Sequence, residues 1–241
     1  MIRVGTAGWS IPRAVADRFP TEGSGLQRYA ARFSFAEINT SFYRPHQRKT
    51  YERWAETTPG AFRFAVKLPK ALTHDARLVG GEAILDRFLD ETAGLGAKRG
   101  PLLIQLPPSL VFEPAVAEPF LTLLRDRYDG DTALEPRHAS WFEADAGAVL
   151  IHFRIARVAA DPARTSAAAL PGGFAGFSYR RLHGSPVMYR SAYGLERVAA
   201  LAGALIAEAR PAWVVFDNTT LGHAADDALM LADRLSAAVL P

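Results

Sequence analysis

A β-like run followed by a helix-like run recurs along the whole chain, and this alternation restricts the possible folds more than any other feature. The β-branched and aromatic residues concentrate in the first member of each pair. Such alternation is typical of parallel β/α units, because parallel strands are joined by crossover helices. Eight strands are predicted, at residues 2–6, 35–39, 62–67, 102–106, 132–135, 157–161, 178–183 and 212–217.

The predicted helices lie between these strands, at residues 47–56, 82–95, 115–127, 143–152, 196–209 and 223–238. The segment after Asp161 is too rich in Gly and Pro to predict a helix there. Eight units in this length match an α/β fold with a single (β/α)8 TIM-type barrel, which typically needs about 250 residues. We therefore expect one TIM-barrel domain over residues 1–241. An open, doubly wound sheet is the alternative, since the sequence does not reveal closure.

Composition excludes several classes of chemistry. The chain contains no cysteine, which excludes disulfide scaffolds, thiolate metal sites and cysteine nucleophiles. The N-terminal MIRVGTAGWS lacks the apolar stretch of a secretory signal, and no run approaches the roughly 20 apolar residues of a membrane span. We therefore expect a cytoplasmic protein with no membrane partner. The formal charge of +3 permits an anionic partner without requiring one.

Polar residues gather where the predicted strands end. Parallel strands are buried on both faces, so polar side chains within them are costly unless they cluster at a functional end. Residues two apart share a strand face, and in a barrel the carboxyl ends of the strands carry the active site. We expect these side chains to converge there: Glu37, Asn39, Lys67, Gln105, Glu135, Asp161, Arg181, His183 and Asp217.

This set predicts a cofactor-free enzyme that uses general acid–base chemistry on a small polar or anionic substrate. Glu37 or Glu135 would act as the base and His183 as the proton shuttle. Cations would hold an anionic group or a developing oxyanion, and the candidates are Lys67, Arg137 and Arg181. Lys67 itself has two interpretations. A Schiff-base lysine is one, and an ion pair with Glu37 or Glu135 is the favoured one.

Two other functions remain open. A metal-dependent hydrolase or isomerase acting on sugars or phosphodiesters could use Glu37, Glu135, His183 and Asp217 as ligands. Interleaved Lys and Arg oppose a metal ion, so we predict neither metal nor cofactor. The third function is a non-catalytic protein that binds nucleic acid or phosphate. It is not favoured, because the basic residues are scattered and the common nucleic-acid-binding motifs are absent.

Three aromatic and polar segments follow predicted strands, and they are GTAGWS, EINTSFYR and EPRHASWF. Trp9, Tyr43 and Trp141 are interpreted as pocket walls and Phe42 as a core residue. With AVKLPK, LLIQLPPS, YRRLHG and VVFDNT, these motifs resemble the YecE-like family, catalogued as domain of unknown function 72.

The resemblance covers nearly the whole chain. It implies a TIM-type barrel, and it brings no substrate or activity. The final strand of relatives often reads Phe-Asn-Asn where this chain has Phe216, Asp217 and Asn218, which makes Asp217 a doubtful catalytic acid. The matching positions are Glu37, Asn39, Tyr43, Arg44, Lys67, Gln105, Glu135, Arg137, Trp141, Arg181, His183, Gly184 and Asn218.

Overall fold

The computed structural model describes residues 1–238, and its strands form two sheets. The larger sheet has the order β2-β3-β4-β5-β6-β8, and the smaller has the order β1-β10-β9-β7. Every pairing is parallel except that of β6 with β8. The strands are β1 (Ile2–Thr6), β2 (Phe35–Ile38), β3 (Arg63–Lys67), β4 (Arg99–Gln105), β5 (Thr132–Glu135), β6 (Ile155–Arg157), β7 (Ala159–Asp161), β8 (Gly172–Gly173), β9 (Ser178–Leu182) and β10 (Ala212–Phe216).

Helices connect most of the successive strands, so the predicted α/β fold with parallel sheets is confirmed. They are α1 (Gly25–Ala30), α2 (Thr40–Tyr43), α3 (Arg48–Glu56), α4 (Glu82–Thr92), α5 (Pro114–Arg127), α6 (Ala144–His152), α7 (Gly194–Glu208) and α8 (His223–Ala237). The six predicted helices all occur with small differences at their ends, where hydrophobic periodicity is least informative. Helices α1 and α2 were not predicted, because four to six residues are too few to display a period.

The predicted sixth strand is wrong in its bounds. Residues 155–161 form two short strands with Val158 between them, of which β6 pairs with β5 and β7 pairs with β9. One extended segment therefore passes from the larger sheet to the smaller. The antiparallel β8 consists of two glycines, which carry no strand signal in the sequence. The Gly- and Pro-rich stretch before it holds only a 3-10 turn, Ser166–Ala169.

At the other junction, β1 lies close to β2. Ala7 forms a parallel bridge with Glu37, and the amide of Gly8 donates to the Glu37 carbonyl at 2.8 Å. The buried Tyr29 hydroxyl donates to the Phe35 carbonyl at 3.1 Å and accepts from the Thr6 amide at 2.8 Å. A tyrosine side chain therefore supplies hydrogen bonds where the two strands lack a regular ladder.

Two hydrophobic clusters divide the core. The larger joins the helices to one face of the strands. The smaller contains no helix residue and draws on alternate strand positions of both sheets, so it lies on the face turned away from the helices. Its buried members are Phe35, Ala65, Leu103, Ala133, Ala156, Val158, Phe177, Tyr179, Trp213 and Val215.

Among residues 1–238, the structure contains no helix with the length and apolar character that a membrane crossing requires.

Candidate functional site at the carboxyl ends of the strands

Arg181 is the centre of the charged cluster. It follows Tyr179 on the same face of β9, and its side chain is fully buried. Its guanidinium donates to both oxygens of Glu37 at 2.8 and 3.2 Å, to Glu135 Oε2 at 2.7 Å and to Asp217 Oδ2 at 2.9 Å. We call Glu37, Glu135, Arg181, His183 and Asp217 the charge layer.

Glu135 accepts four hydrogen bonds from side chains. Gln105 and Arg181 donate to Oε2, at 2.8 and 2.7 Å. Arg137 donates to Oε1 at 2.9 Å, and His183 Nε2 lies 3.0 Å from the same oxygen. Burial alone would raise the pKa of Glu135, but the charges of Arg181 and His183 hold it well below its usual range. Glu135 is therefore a carboxylate whose acceptor positions are occupied.

His183 is held between two carboxylates. Its Nδ1 lies 3.0 Å from Asp217 Oδ2, and its Nε2 lies 3.0 Å from Glu135 Oε1. Burial opposes a charge on the ring, yet Glu135 and the hydrogen bond to Asp217 raise its pKa above the ordinary value. Only the imidazolium donates from both nitrogens. The geometry therefore favours a charged His183, which limits its use as a shuttle.

The charge layer includes a contact that the sequence analysis missed. The buried Tyr179 hydroxyl donates to Glu37 Oε2 at 2.8 Å, and burial together with Glu37 raises the pKa of Tyr179 well above its ordinary value. Tyr179 looks like a core aromatic in the sequence. Its position two residues before Arg181, on the same strand face, is the signal that could have identified it.

Lys67 differs from its neighbours. Its side chain is 5% exposed, and its ammonium lies 4.1 Å from the centre of the Phe42 ring. Among the described residues, no carboxylate lies within 4.0 Å of that nitrogen and no hydrogen bond involves it. The expected ion pair with Glu37 or Glu135 is therefore wrong, because Arg181 occupies both carboxylates.

Burial and the charge of Arg181 lower the pKa of Lys67 to about 8. The carboxylates of Glu37, Glu135 and Asp217 act to raise this pKa but do not cancel the lowering. With this pKa, a larger fraction of Lys67 is neutral amine at pH 8 than of an exposed lysine.

Two asparagines at the strand ends have buried carbonyl oxygens without a partner among the described residues. Asn39 directly follows β2 with a helical backbone, and the Ser41 hydroxyl of the same turn donates to the Lys67 carbonyl at 2.7 Å. Asn218 is fully buried and donates to the Ser191 carbonyl at 2.9 Å and to Asp227 at 2.7 Å. The amide nitrogen of Asn218 thus fixes a loop, and within residues 1–238 both asparagines keep an unused acceptor.

The predicted pocket walls separate into different environments. Trp141 is 1% exposed and donates to the Leu110 carbonyl at 3.0 Å, so it belongs to the core and is not a pocket wall. Trp9 is partly buried and packs edge-on against Trp54 at 5.0 Å. Tyr43 is 77% exposed. Aromatic type and loop position do not distinguish these cases, because burial depends on which helix packs above each ring.

Cavities lie on two sides of this site. A small one of about 20 Å³, enough for one water molecule, is bordered by Glu135, Arg137, His183 and the exposed Arg164. A groove of about 550 Å³ lies between the segments that follow β2 and β3 and helix α4. Phe42, Tyr43 and Arg44 line this groove. The predicted binding residues thus reach two separate openings.

The residues that could serve as metal ligands already have other partners. Within residues 1–238, no group of three or more His, Asp or Glu side chains has a geometry suited to a metal ion. The guanidinium of Arg181 lies among Glu37, Glu135 and Asp217, where a cation would otherwise be coordinated. A metal would have to displace that guanidinium.

Comparison with known proteins gives consistent relatives. The UPF0759 protein YecE of Escherichia coli (strain K12) is 31% identical over 144 residues, and the UPF0759 protein YunF of Bacillus subtilis (strain 168) is 28% identical over 148 residues. These alignments cover 59% of this chain, and this chain spans about half the length of the curated relatives it matches.

Solved structures extend the likeness over nearly the whole chain. A DUF72 family protein of Thermotoga maritima has a TM-score of 0.78 at 25% identity, with 98% of this chain and 99% of that one covered. One from Enterococcus faecalis has a TM-score of 0.79 at 20% identity, covering 98% and 96%. A D-psicose 3-epimerase has a TM-score of 0.56 at 11% identity, with 98% of each chain covered, and this likeness shows the fold alone.

The family model described as protein of unknown function DUF72 matches residues 3–240. This match covers nearly the whole chain, and the chain therefore belongs to the DUF72 family.

Proposed function

We propose that the charge layer and Lys67 form the active site of a cofactor-free enzyme that performs general acid–base chemistry on a small polar or anionic molecule. The observation that carries the proposal is the contrast at Lys67. Among residues 1–238 this buried amine has no ionic partner, whereas Glu37, Glu135 and Asp217 all accept from Arg181. An isolated buried charge is costly, and perturbed titratable groups of this kind concentrate at functional sites.

We further propose that the two sheets are arcs of one closed (β/α)8 barrel. The segment 155–161 runs from one sheet to the other, and the Ala7–Glu37 bridge joins their remaining edges. A single hydrophobic cluster contains alternate residues from both sheets, as the filled interior of a barrel would. In this arrangement the charge layer lies above that cluster, at the end where barrel enzymes build their sites.

Within this site, Lys67 is assigned the proton transfer. A catalytic acid or base works best when its pKa lies near the working pH, and burial with Arg181 lowers the pKa of Lys67 to about 8. Glu37 and Glu135, the bases expected from sequence, each accept from Arg181 and at least one further donor. They act here as the electrostatic framework that holds Arg181 in place.

The balance of charge favours an anionic substrate. The carboxylates of Glu37, Glu135 and Asp217 face the cations Arg137, Arg181 and His183. A protonated Lys67 adds a positive charge that these pairs do not neutralise. A bound anion would neutralise it. Arg137 retains 15% side-chain exposure and is the cation best placed to contact an anionic substrate.

The cavity beside Arg137 holds about one water molecule. A substrate must therefore displace side chains that line this cavity, Arg164 among them.

Lysine NMR tests this proposal directly, since the chain has four lysines, Lys49, Lys67, Lys70 and Lys98. With 13Cε-labelled lysine, we expect the Lys67 resonance to titrate near pH 8. Inorganic phosphate or malonate should shift that titration upward, because an anion stabilises the ammonium. Lys70, which pairs with Asp75 at 2.6 Å, serves as the internal control and should not respond.

Two variants and one assay complete the test. Arg137→Gln should weaken the response of Lys67 to either anion. In D2O, the wild type should exchange carbon-bound protons of some member of a panel of small hydroxy and oxo acids, and Lys67→Met should not, while Lys70→Met should behave as wild type. An ordinary lysine titration at Lys67, or no response to both anions together with no exchange across the panel, would contradict the proposal.

A further inference from the structure

The four lysines of this chain occupy different environments. Lys49 is exposed on α3, and Lys70 is paired with Asp75. Lys98 donates to the backbone carbonyls of Ala55 and Thr58. Lys67 has neither a carboxylate nor a carbonyl as a partner among the described residues, and it is the buried one. Its lone pair therefore becomes available without breaking an ion pair or a hydrogen bond.

The surroundings of Lys67 suit a positive charge that stays on its nitrogen. The face of the Phe42 ring lies 4.1 Å away and attracts a cation. The guanidinium of Arg181 acts against that charge and favours the neutral amine. A protonated imine and an ammonium each carry one positive charge. Conversion of one into the other therefore leaves the interaction with Phe42 in place.

Two further groups match the other parts of a substrate. Asn39 lies in the turn whose Ser41 hydroxyl donates to the Lys67 carbonyl. Its buried carbonyl oxygen has no partner among residues 1–238, and it could accept from a hydroxyl. Arg137 is partly exposed and uses one N–H on Glu135. Glu135 accepts from Arg137 at 2.9 Å, and its charge also acts to raise the pKa of Lys67, so one carboxylate interacts with both cations.

We propose that Lys67 captures the carbonyl carbon of a small aldehyde or ketone that also carries an anionic group, forming a protonated imine. This inference rests on the proposed function of the same site. The amine lone pair forms the C–N bond while the carbonyl π pair moves to oxygen, which gives a carbinolamine. The C–O bond then breaks and the oxygen leaves as water with two protons from nitrogen. The ammonium and the carbonyl thus become an iminium and one water, with no other reactant.

Reductive trapping tests the inference with glyoxylate as the probe. Glyoxylate and sodium cyanoborohydride should convert an imine into a stable carboxymethyl amine, which peptide mass spectrometry assigns to one lysine. At pH 8 we expect modification of Lys67 at least about tenfold faster than of Lys49, because more of its amine is neutral. Lys67→Arg should abolish the fast adduct. Lys70→Arg, the matched exposed control, should leave it unchanged.

The role of the anionic group has its own comparison. Arg137→Gln should slow trapping of glyoxylate by a larger factor than trapping of the neutral propionaldehyde. Equal modification of all four lysines, or a fast adduct that survives Lys67→Arg, would overturn the inference. If Lys67 still titrates near pH 8 and responds to phosphate while no selective adduct forms, the covalent step is wrong and the acid–base proposal stands. If Lys67 titrates as an ordinary lysine, does not respond to phosphate and forms no selective adduct, both proposals are wrong.

Discussion

Two buried cations of the same site have opposite environments. Arg181 donates to three carboxylates, and its planar guanidinium satisfies several of them at once. Lys67 lies close enough to be affected by the same carboxylates but contacts an aromatic ring instead. The difference shows that proximity of opposite charges does not by itself produce a pair. Arg181, whose guanidinium can donate to several oxygens at once, binds the carboxylates, and Lys67 titrates without an ion pair to them.

The largest effect should come from removing the centre of the charge layer. Arg181→Met leaves Glu37, Glu135 and Asp217 without their main counter-ion in a buried site. We expect the free energy of unfolding to fall by about 3–5 kcal/mol in urea denaturation. Arg48, which pairs with Glu52 and Asp90 at the surface, is the control, and Arg48→Met should cost less than about 1 kcal/mol. Equal losses of unfolding free energy in the two variants would show that Arg181 is not the main counter-ion of the charge layer.

A smaller loss should follow Glu135→Gln. The amide keeps the shape of the side chain but removes a charge that faces Arg181, Arg137 and His183. From the sequence alone we would expect this exchange to leave folding largely intact. The four donors to Glu135 reverse that expectation, and we predict a loss of about 2–3 kcal/mol by the same measurement. A change below about 0.5 kcal/mol would mean that these contacts contribute little.

The two cations should also differ in their dependence on pH. The pKa of Lys67 is lowered on folding, so between about pH 8 and the ordinary lysine range the unfolded chain binds more protons than the folded one. The contribution of Lys67 to stability should therefore rise with pH in that interval, by on the order of 2 kcal/mol, and the difference between the wild type and Lys67→Met separates it from the opposite contribution of the buried tyrosines. Lys67→Met should remove this rise, whereas Lys70→Met should retain it. A rise that persists in Lys67→Met would assign it to another group.

The smallest effect concerns His183, since burial offsets part of the interactions that raise its pKa. A raised pKa means that the stabilisation is fully present below the ordinary imidazole pKa and is lost as the pH rises through the folded value. We expect this loss in the Lys67→Met background, where the alkaline rise is absent. Adding His183→Asn should flatten the profile. An unchanged slope would show that the ring is neutral in the folded protein.

The sequence predicted which residues gather at the site better than it predicted the hydrogen bonds between them. Glu37, Glu135, Arg181 and His183 were all selected because they end parallel strands, and the structure brings them together through direct hydrogen bonds. Trp141 was selected on its type and loop position and lies in the core. Strand ends share one edge by construction, whereas the burial of a loop aromatic depends on what packs over it.

The order of strands and helices is a property of the sequence itself, because periodicities of two and of about 3.6 residues are local. The choice of which cation meets which carboxylate is not local. Arg181 reaches Glu37 across 144 positions of the chain, and this contact requires strands of the two sheets to lie in a particular register. A shift of one residue would turn these side chains to the opposite face. Only the tertiary structure therefore decided that Arg181 pairs with the carboxylates and that Lys67 has no carboxylate partner among residues 1–238.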